Sequence, residues 1–120
     1  MKILIVDDSK AMRMIVTRTI RQAGFEDHEL REAENGKEGL DAVGTYLPDL
    51  VLSDWNMPEM NGLEFLQNLR SQGNAVPFGF VTSEGNETMR TLAADNGASF
   101  LIAKPFGADT FRDALAGVLG

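Results

Sequence analysis

The sequence predicts an α/β protein built on a doubly wound, five-stranded parallel sheet with helices on both faces. Apolar segments of about five residues, rich in β-branched or aromatic side chains, alternate with longer segments of helical spacing. Each crossover between parallel strands is right-handed, so a series of such units covers both faces of one sheet. Ligands of these sheets bind beyond the carboxyl ends of the strands, which directs attention to the residues that follow each strand.

The first predicted elements are a strand at residues 2–7 and the helix that follows it. Ser9 is a favourable N-cap for this helix, and Gly24 is its stop signal because glycine readily adopts the left-handed conformation at a helix end. A weaker strand is predicted at residues 28–31. These three segments form the first β–α–β unit of the sheet.

The middle of the chain contains the predicted central strand. Asn35 opens a second helix that ends near Tyr46. Residues 50–52 form a continuous apolar run between two acids, as expected for a strand covered on both faces. A turn at residues 57–62 precedes a third helix, which carries apolar side chains at helical spacing over residues 63–69.

The last part of the chain contains two more strands and two more helices. The fourth strand is predicted at residues 76–82, with Pro77 near its start, where the missing N–H is tolerated. A helix at residues 84–95, a strand at residues 99–103 and a helix at residues 108–119 complete the alternation. Neither a repeat nor a linker interrupts it.

Composition excludes several classes of function. We expect residues 1–120 to form one domain, since 120 residues is near the usual domain size. No run approaches the roughly 20 apolar residues that a bilayer span needs, and no secretion signal begins the chain, so a cytoplasmic protein without membrane contact is expected. The absence of cysteine excludes disulfides and thiolate zinc sites. A net charge of −7 opposes nucleic-acid binding.

Four of the five predicted strands end in side chains that suit a metal ion or a phosphoryl group. In chain order, these side chains are Asp7 and Asp8, Asp54, Thr82 and Ser83, and Lys104. All of them would converge on one edge of a parallel sheet. Three carboxylates, hydroxyls and an ammonium, without histidine or cysteine, form a hard oxygen site suited to Mg²⁺ or Mn²⁺.

Such a site could hold a phosphoryl group on Asp54. Neighbouring carboxylates repel one another, and a bound cation together with Lys104 would keep Asp54 ionised and therefore nucleophilic. The metal could bridge Asp8, Asp54 and one phosphoryl oxygen, while Lys104 pairs with a second oxygen and the Thr82 hydroxyl with a third. The product would be an aspartyl phosphate.

Each of these residues also has an ordinary structural interpretation. Acids before a helix favour its dipole, so Asp7 and Asp8 could be capping residues. Thr82 and Ser83 could cap the following helix, and Ser83 could fill that role while Thr82 faces the site. Lys104 could belong to an exposed turn. The joint pattern favours the functional interpretation, because complementary chemistry at four strand ends is improbable as a coincidence of caps.

Five motifs occur in order along the whole chain. They are Asp7-Asp8-Ser9, Ser53-Asp54-Trp55-Asn56-Met57-Pro58, Asn61-Gly62, Thr82-Ser83-Glu84 and Lys104-Pro105-Phe106. Together they resemble the response-regulator receiver domains, in particular the stand-alone receivers of the chemotaxis type. Motifs of this number in this order are far more specific than a lone glycine pattern.

The resemblance implies that a sensor histidine kinase phosphorylates Asp54 in a Mg²⁺-dependent reaction. It implies that Mg²⁺ is held by Asp8, Asp54 and the backbone carbonyl of Asn56, with Asp7 acting through a water molecule. Asn56 and Glu84 would flank the attacking water, so quick self-dephosphorylation is expected. Such a domain would catalyse only its own phosphorylation and dephosphorylation, and so would not be an enzyme acting on other substrates.

The resemblance also implies the flavodoxin-like strand order 2-1-3-4-5, a cis peptide bond before Pro105, and a monomer that signals through its fourth helix, fifth strand and fifth helix. The downstream partner would be a protein, such as a motor or another signalling protein. One position departs from the family pattern, because Leu101 stands where receivers usually carry a tyrosine or phenylalanine that turns inward. We therefore expect weaker coupling or a different partner. Phe100 should face the opposite side by strand alternation.

Three rival functions stand beside this one. A degenerate receiver, acting as an unphosphorylated adaptor or as a phosphate sink, is the closest competitor, and the complete set of site residues counts against an adaptor. A phosphatase with an aspartate nucleophile would carry an acid at the position of Asn56. A flavodoxin-like binding module would have a glycine-rich or hydroxyl-rich loop after the first strand, where this chain has two acids.

Overall fold

A computed structural model describes residues 1–119, in which strands and helices alternate. The strands are β1 (Lys2–Val6), β2 (Glu29–Ala33), β3 (Leu50–Ser53), β4 (Phe78–Thr82) and β5 (Phe100–Ala103). The helices are α1 (Lys10–Gln22), α2 (Gly36–Tyr46), α3 (Gly62–Ser71), α4 (Glu87–Asp95) and α5 (Ala108–Leu119). No helix within this range has the length and apolar content that a bilayer span requires.

The five strands form one sheet in the order β2-β1-β3-β4-β5, and all neighbouring strands are parallel. The predicted doubly wound class and strand order are therefore confirmed. Strand order reverses between β1 and β3, which is the point where ligands bind in such sheets. Val6 is paired with Ser53 across these two strands, so Asp7 and Asp54 emerge at the same level of the sheet.

Helices pack against both faces of the sheet because the side chains of each strand alternate between them. Ile3 and Ile5 of β1 join one apolar cluster with side chains of α1 and α5. Leu4 and Val6 join a second cluster with side chains of α2, α3 and α4. All four residues of β3 are buried, as expected for a strand covered on both sides. This packing holds β1 and β3, and the residues that follow them, at the centre of the molecule.

The start of α4 differs from the prediction. The helix begins at Glu87 rather than residue 84, and its N-cap is Asn86, whose side chain accepts a hydrogen bond of 2.8 Å from the Met89 N–H. Ser83 is therefore not the cap. Starting at Glu87 places Met89 and Ala93 on the buried face, which is the stripe that an amphipathic helix needs. Ser83 is left in a loop next to the end of β4.

Two strand boundaries also differ. β2 spans Glu29–Ala33 rather than residues 28–31, because pairing with β1 continues as far as the Val6–Ala33 pair despite the charged side chains in between. β4 begins at Phe78 rather than residue 76, since Pro77 has no N–H to donate to a strand ladder. The remaining predicted elements lie within one or two residues of the observed ones.

Candidate functional site

A cavity of about 140 Å³ opens at the carboxyl ends of the strands. It is lined by Asp7, Asp8, Ser9, Met12, Asp54, Val81, Ser83 and Lys104. Pockets for drug-sized ligands usually measure about 300 to 1,000 Å³, so this one suits a small ion or a phosphoryl group rather than a flavin. Residues from the ends of four different strands thus meet in one hollow.

Three carboxylates converge in this cavity. One oxygen from each of Asp7, Asp8 and Asp54 lies within 4.8 Å of the others. Asp7 is only 5% exposed, Asp54 is half-buried and Asp8 is exposed. Oxygen ligands with this concentration of negative charge are those that Mg²⁺ and Mn²⁺ prefer, so the donor set fits a hard divalent cation.

The Asp7 carboxyl group is protonated more readily than an ordinary aspartic acid. Burial and, to a smaller extent, the nearby charges of Asp54 and Asp8 raise the pKa of Asp7 from 3.8 to about 6. The Ser9 N–H, which donates a hydrogen bond of 2.9 Å to Asp7 Oδ1, opposes it. A buried acid beside two others therefore carries a cost of ionisation that a bound cation would remove.

Asp54 is held by the loop that follows β3. Burial raises its pKa, a hydrogen bond from the Trp55 N–H lowers it, and the charge of Asp8 raises it further. The Trp55 N–H lies 2.7 Å from Asp54 Oδ1 and fixes the orientation of the carboxylate. Gly62 packs so tightly against the Asp54 carbonyl that a Cβ atom there would overlap it. The glycine of the Asn61-Gly62 motif therefore lets α3 begin directly beside Asp54.

Lys104 brings a positive charge to the opposite wall of the cavity. Its side chain is exposed, and its charge lowers the pKa of Asp54. Its backbone N–H donates a hydrogen bond of 3.0 Å to the Thr82 carbonyl, which ties the end of β5 to the end of β4. The Lys104–Pro105 peptide bond is cis, as the resemblance implies.

Thr82 and Ser83 occupy positions opposite to those expected. Thr82 is 1% exposed and does not line the cavity, whereas Ser83 is exposed and does. The Thr82 hydroxyl oxygen accepts a hydrogen bond of 3.3 Å from the Glu84 N–H. The pleat of β4 explains the exchange, since Val81 and Ser83 share one side of the chain and Thr82 the other.

The remaining predicted residues, Asn56, Glu84, Leu101 and Pro105, do not line the cavity. Asn56 and Glu84 are exposed in the loops after β3 and β4. Leu101 packs against the cluster on the α2, α3 and α4 side, and Phe100 packs on the opposite side, as strand alternation predicts. The Leu101 carbonyl accepts a hydrogen bond of 3.1 Å from Arg90 of α4. Leu101 thus connects the sheet to the surface of α4.

Sequence reasoning missed Arg13 of α1. Its side chain is buried, and its Nη1 donates a hydrogen bond of 2.6 Å to the Asp7 carbonyl. Arginine is almost never fully buried unless it is paired. An arginine beside the apolar positions Met12 and Val16 of a predicted helix was the signal that could have revealed it.

Two comparisons of the sequence agree on one family. Residues 3–116 match the family model of the response regulator receiver domain. The chain is 38% identical over 123 aligned residues to the chemotaxis protein CheY1 of Helicobacter pylori, covering all of this chain and 98% of that protein. It is 39% identical over 124 residues to the chemotaxis protein CheY homolog of Campylobacter jejuni, covering all of this chain and 93% of that protein.

Solved structures share the fold. The chemotaxis protein CheY4 of Vibrio cholerae superimposes with a TM-score of 0.84 at 33% identity, over 98% of this chain and 97% of that one. The receiver domain of a Francisella response regulator gives a TM-score of 0.86 at 24% identity, over 98% of this chain and 94% of that one, and supports the fold alone. The chain therefore belongs to the response regulator receiver domain family and is homologous to the CheY chemotaxis response regulators.

Proposed function

We propose that Asp54 accepts a phosphoryl group from a sensor histidine kinase in a Mg²⁺-dependent reaction, and that phosphorylation changes the binding of a downstream protein. The observation that carries this proposal is the convergence of Asp7, Asp8 and Asp54 within 4.8 Å, in a cavity that Lys104 also lines. Family membership supports it, because receiver domains are phosphoacceptor switches that work between a kinase and a target.

The metal ligands would be Asp8, Asp54 and the backbone carbonyl of Asn56. Asp7 would act through a water molecule, which agrees with the hydrogen bond that its carboxylate already accepts from the Ser9 N–H. Bound Mg²⁺ would offset the negative charge of the carboxylates and of the phosphoryl oxygens. Mn²⁺ takes the same kinds of oxygen ligand and would serve in its place.

Phosphoryl transfer would then need little beyond positioning and positive charge. An Asp54 oxygen forms a bond to phosphorus while the phosphorus–nitrogen bond of the donor phosphohistidine breaks and the electron pair stays on nitrogen. The Trp55 N–H holds Asp54 Oδ1 during this step, and Lys104 pairs with a phosphoryl oxygen. Dephosphorylation is a separate step, in which a water oxygen bonds to phosphorus while the bond from phosphorus to the Asp54 oxygen breaks, releasing inorganic phosphate and the Asp54 carboxylate. Asn56 and Glu84 would flank this water.

Signalling would follow from the attraction between the phosphoryl group on Asp54 and the side chains of Thr82 and Lys104. A phosphoryl group on Asp54 would draw in the Thr82 hydroxyl and the Lys104 ammonium, and the backbone bond between these two residues would move their loops together. The neighbouring surface of α4, β5 and α5 would change with them. We place this switch in a chemotaxis pathway because its relatives are named as chemotaxis proteins. We propose that it acts in the cytoplasm as a monomer.

A phosphate sink is the second candidate, and Leu101 favours it. A receiver with leucine at this position lacks the aromatic ring that reports phosphorylation at the binding surface. It could accept the phosphoryl group on Asp54 and hydrolyse it without a strong response at α4. A long-lived aspartyl phosphate, or a large change at the surface of α4 on phosphorylation, would exclude this role.

Binding of beryllofluoride with Mg²⁺ tests the assignment of Asp54. Beryllofluoride is a phosphoryl mimic that attaches to a carboxylate, so the wild-type protein should bind it and Asp54→Asn should not. Fluorescence of Trp55, the single tryptophan, reports the event next to Asp54. Asp49→Asn is the matched control, because Asp49 precedes β3 at the opposite edge of the sheet. Equal binding by wild type and Asp54→Asn would refute the proposal.

A further inference from the structure

Arg13 carries a buried positive charge near the three acids. It lies in the first turn of α1 and is only 7% exposed. Its guanidinium uses two separate donors, because Nη1 lies 2.6 Å from the Asp7 carbonyl oxygen and Nε lies 2.7 Å from Glu32 Oε1. A buried charge is retained only when it is paired and hydrogen-bonded, and both conditions are met here.

The Asp7 carbonyl belongs to the peptide unit that joins Asp7 to Asp8. A hydrogen bond to this oxygen fixes the plane of that unit and, with it, the direction in which the two acidic side chains leave the backbone. Asp7 is also held by its own N–H, which donates a hydrogen bond of 3.1 Å to the Ala33 carbonyl, and by the Ser9 N–H at its carboxylate. Arg13 thus completes a set of bonds around one short segment.

Glu32 fixes the other side of the guanidinium. It lies on β2 and is paired with Ile5 of β1, two residues before Asp7. Its side chain is about half-exposed, whereas that of Arg13 is nearly buried. The Glu32 carboxylate therefore prevents rotation of the planar guanidinium, and it balances the charge of Arg13 so close to the acids.

We infer that Arg13 is a positioning residue for the divalent cation, acting through the Asp7–Asp8 peptide unit and held in place by Glu32. This inference rests on the proposed function, since it assigns Arg13 a role in the same metal site. Arg13 does not line the cavity and so would contact neither the cation nor the phosphoryl group. A lysine at this position would keep the charge but could not donate to the Asp7 carbonyl and to Glu32 in the same planar geometry.

Metal affinity of the folded protein tests this role. Mg²⁺ affinity is measured by calorimetry and Mn²⁺ binding by electron paramagnetic resonance, with circular dichroism to show that each variant is folded. Arg13→Met should weaken binding about 10- to 100-fold, the range found when a group that orients a metal ligand is removed. Arg13→Lys should be intermediate. Arg18→Met, an exposed position on the same helix, is the matched control and should bind like the wild type.

The outcomes separate this inference from the proposed function. A wild-type protein that binds neither Mg²⁺ nor Mn²⁺ would refute the metal site itself. A wild type that binds both, together with an Arg13→Met variant of equal affinity, would refute the role of Arg13 alone. In that case Arg13 only stabilises the fold, and Arg13→Met lowers the melting temperature but leaves the affinity of folded molecules unchanged. If Arg13→Met does not fold, the same comparison is made with Arg13→Lys.

Discussion

The two walls of the cavity are held by different kinds of contact. The acid wall consists of Asp7, Asp8 and Asp54, which follow the central strands β1 and β3. The loop wall consists of Ser83 and Lys104, which follow β4 and β5. Asp7 is buried, Asp54 is half-buried and Asp8 is exposed, whereas Ser83 and Lys104 are both exposed. The acid wall is thus anchored in the core through Asp7, and the loop wall borders solvent.

The acid wall and the loop wall also differ in their hydrogen bonds. On the acid wall, the Asp54 N–H donates to the Val6 carbonyl at 2.9 Å, and Arg13 and the Trp55 N–H add bonds of 2.6 and 2.7 Å. Beside the loop wall, the Lys104 N–H donates to the Thr82 carbonyl at 3.0 Å, and the Thr82 hydroxyl accepts a longer bond of 3.3 Å from the Glu84 N–H. Elements with few buried contacts open most easily. A cation needs ligands in place before it arrives, whereas a switch needs parts that can move, and the two walls match these two needs.

Replacing Asp8 should have the largest effect. Asp8→Asn removes a charged oxygen from the acid wall, so Mg²⁺ affinity should fall by roughly 100-fold or more, beyond the loss expected for a group that only orients a ligand. Calorimetric titration with Mg²⁺ measures this change. Glu26→Gln is the control, because it neutralises an exposed acid in the loop before β2, at the opposite edge of the sheet, and should change affinity about twofold at most. Equal losses in both variants would show that net charge, and not the acid wall, determines metal affinity.

Replacing Lys104 should separate phosphorylation from its consequence. Lys104→Ala leaves the acid wall intact, so beryllofluoride and Mg²⁺ should still bind. The structural response of α4 and β5 to beryllofluoride should weaken, because the Lys104 charge that would pair with the phosphoryl group is missing. Couplings between two sites typically change affinity by about 5- to 150-fold. Amide chemical shifts of these elements, before and after beryllofluoride, measure the response. Lys10→Ala, at the start of α1, should respond like the wild type. A full response in Lys104→Ala would show that the loop wall does not transmit the signal.

The smallest expected effect is that of pH on the stability of the metal-free protein. The pKa of Asp7 rises from 3.8 to about 6, so the folded state binds this proton more tightly than the unfolded chain. Stability from this group is therefore present below about pH 4 and is lost as pH rises to about 6. The loss should be on the order of 1 kcal/mol after screening at the open cavity.

Urea unfolding between pH 4 and 7, with and without Mg²⁺, measures this effect. Asp7→Asn keeps an acceptor for the Ser9 N–H but cannot ionise, so the metal-free variant should lose less stability than the wild type over this range. Mg²⁺ should stabilise the wild type more at pH 7 than at pH 5, because the cation binds the ionised acid. Parallel stability curves for wild type and Asp7→Asn would show that Asp7 ionises as easily in the folded protein as in the unfolded chain.

The fold class, the order of elements and the four charged residues of the cavity, Asp7, Asp8, Asp54 and Lys104, could be predicted from the amino-acid sequence. Apolar periodicity and helix caps are local properties, and they identified Ser9, Asn35 and the central strand at residues 50–52. The meeting of Asp7 with Asp54 followed from a general rule, since parallel strands deliver their carboxyl ends to one edge. These features need no knowledge of which particular side chains touch.

Other details depend on contacts between distant segments and are visible only in the folded protein. Asn86 prevailed over Ser83 as the cap of α4, because burial of Met89 and Ala93 selected the register of the helix. The pleat of β4 placed Ser83, rather than Thr82, in the cavity lining. The two hydrogen bonds of the Arg13 side chain join α1 to the end of β1 and to β2. Local propensity carries no information about these bonds, because they form only when all three elements are packed together.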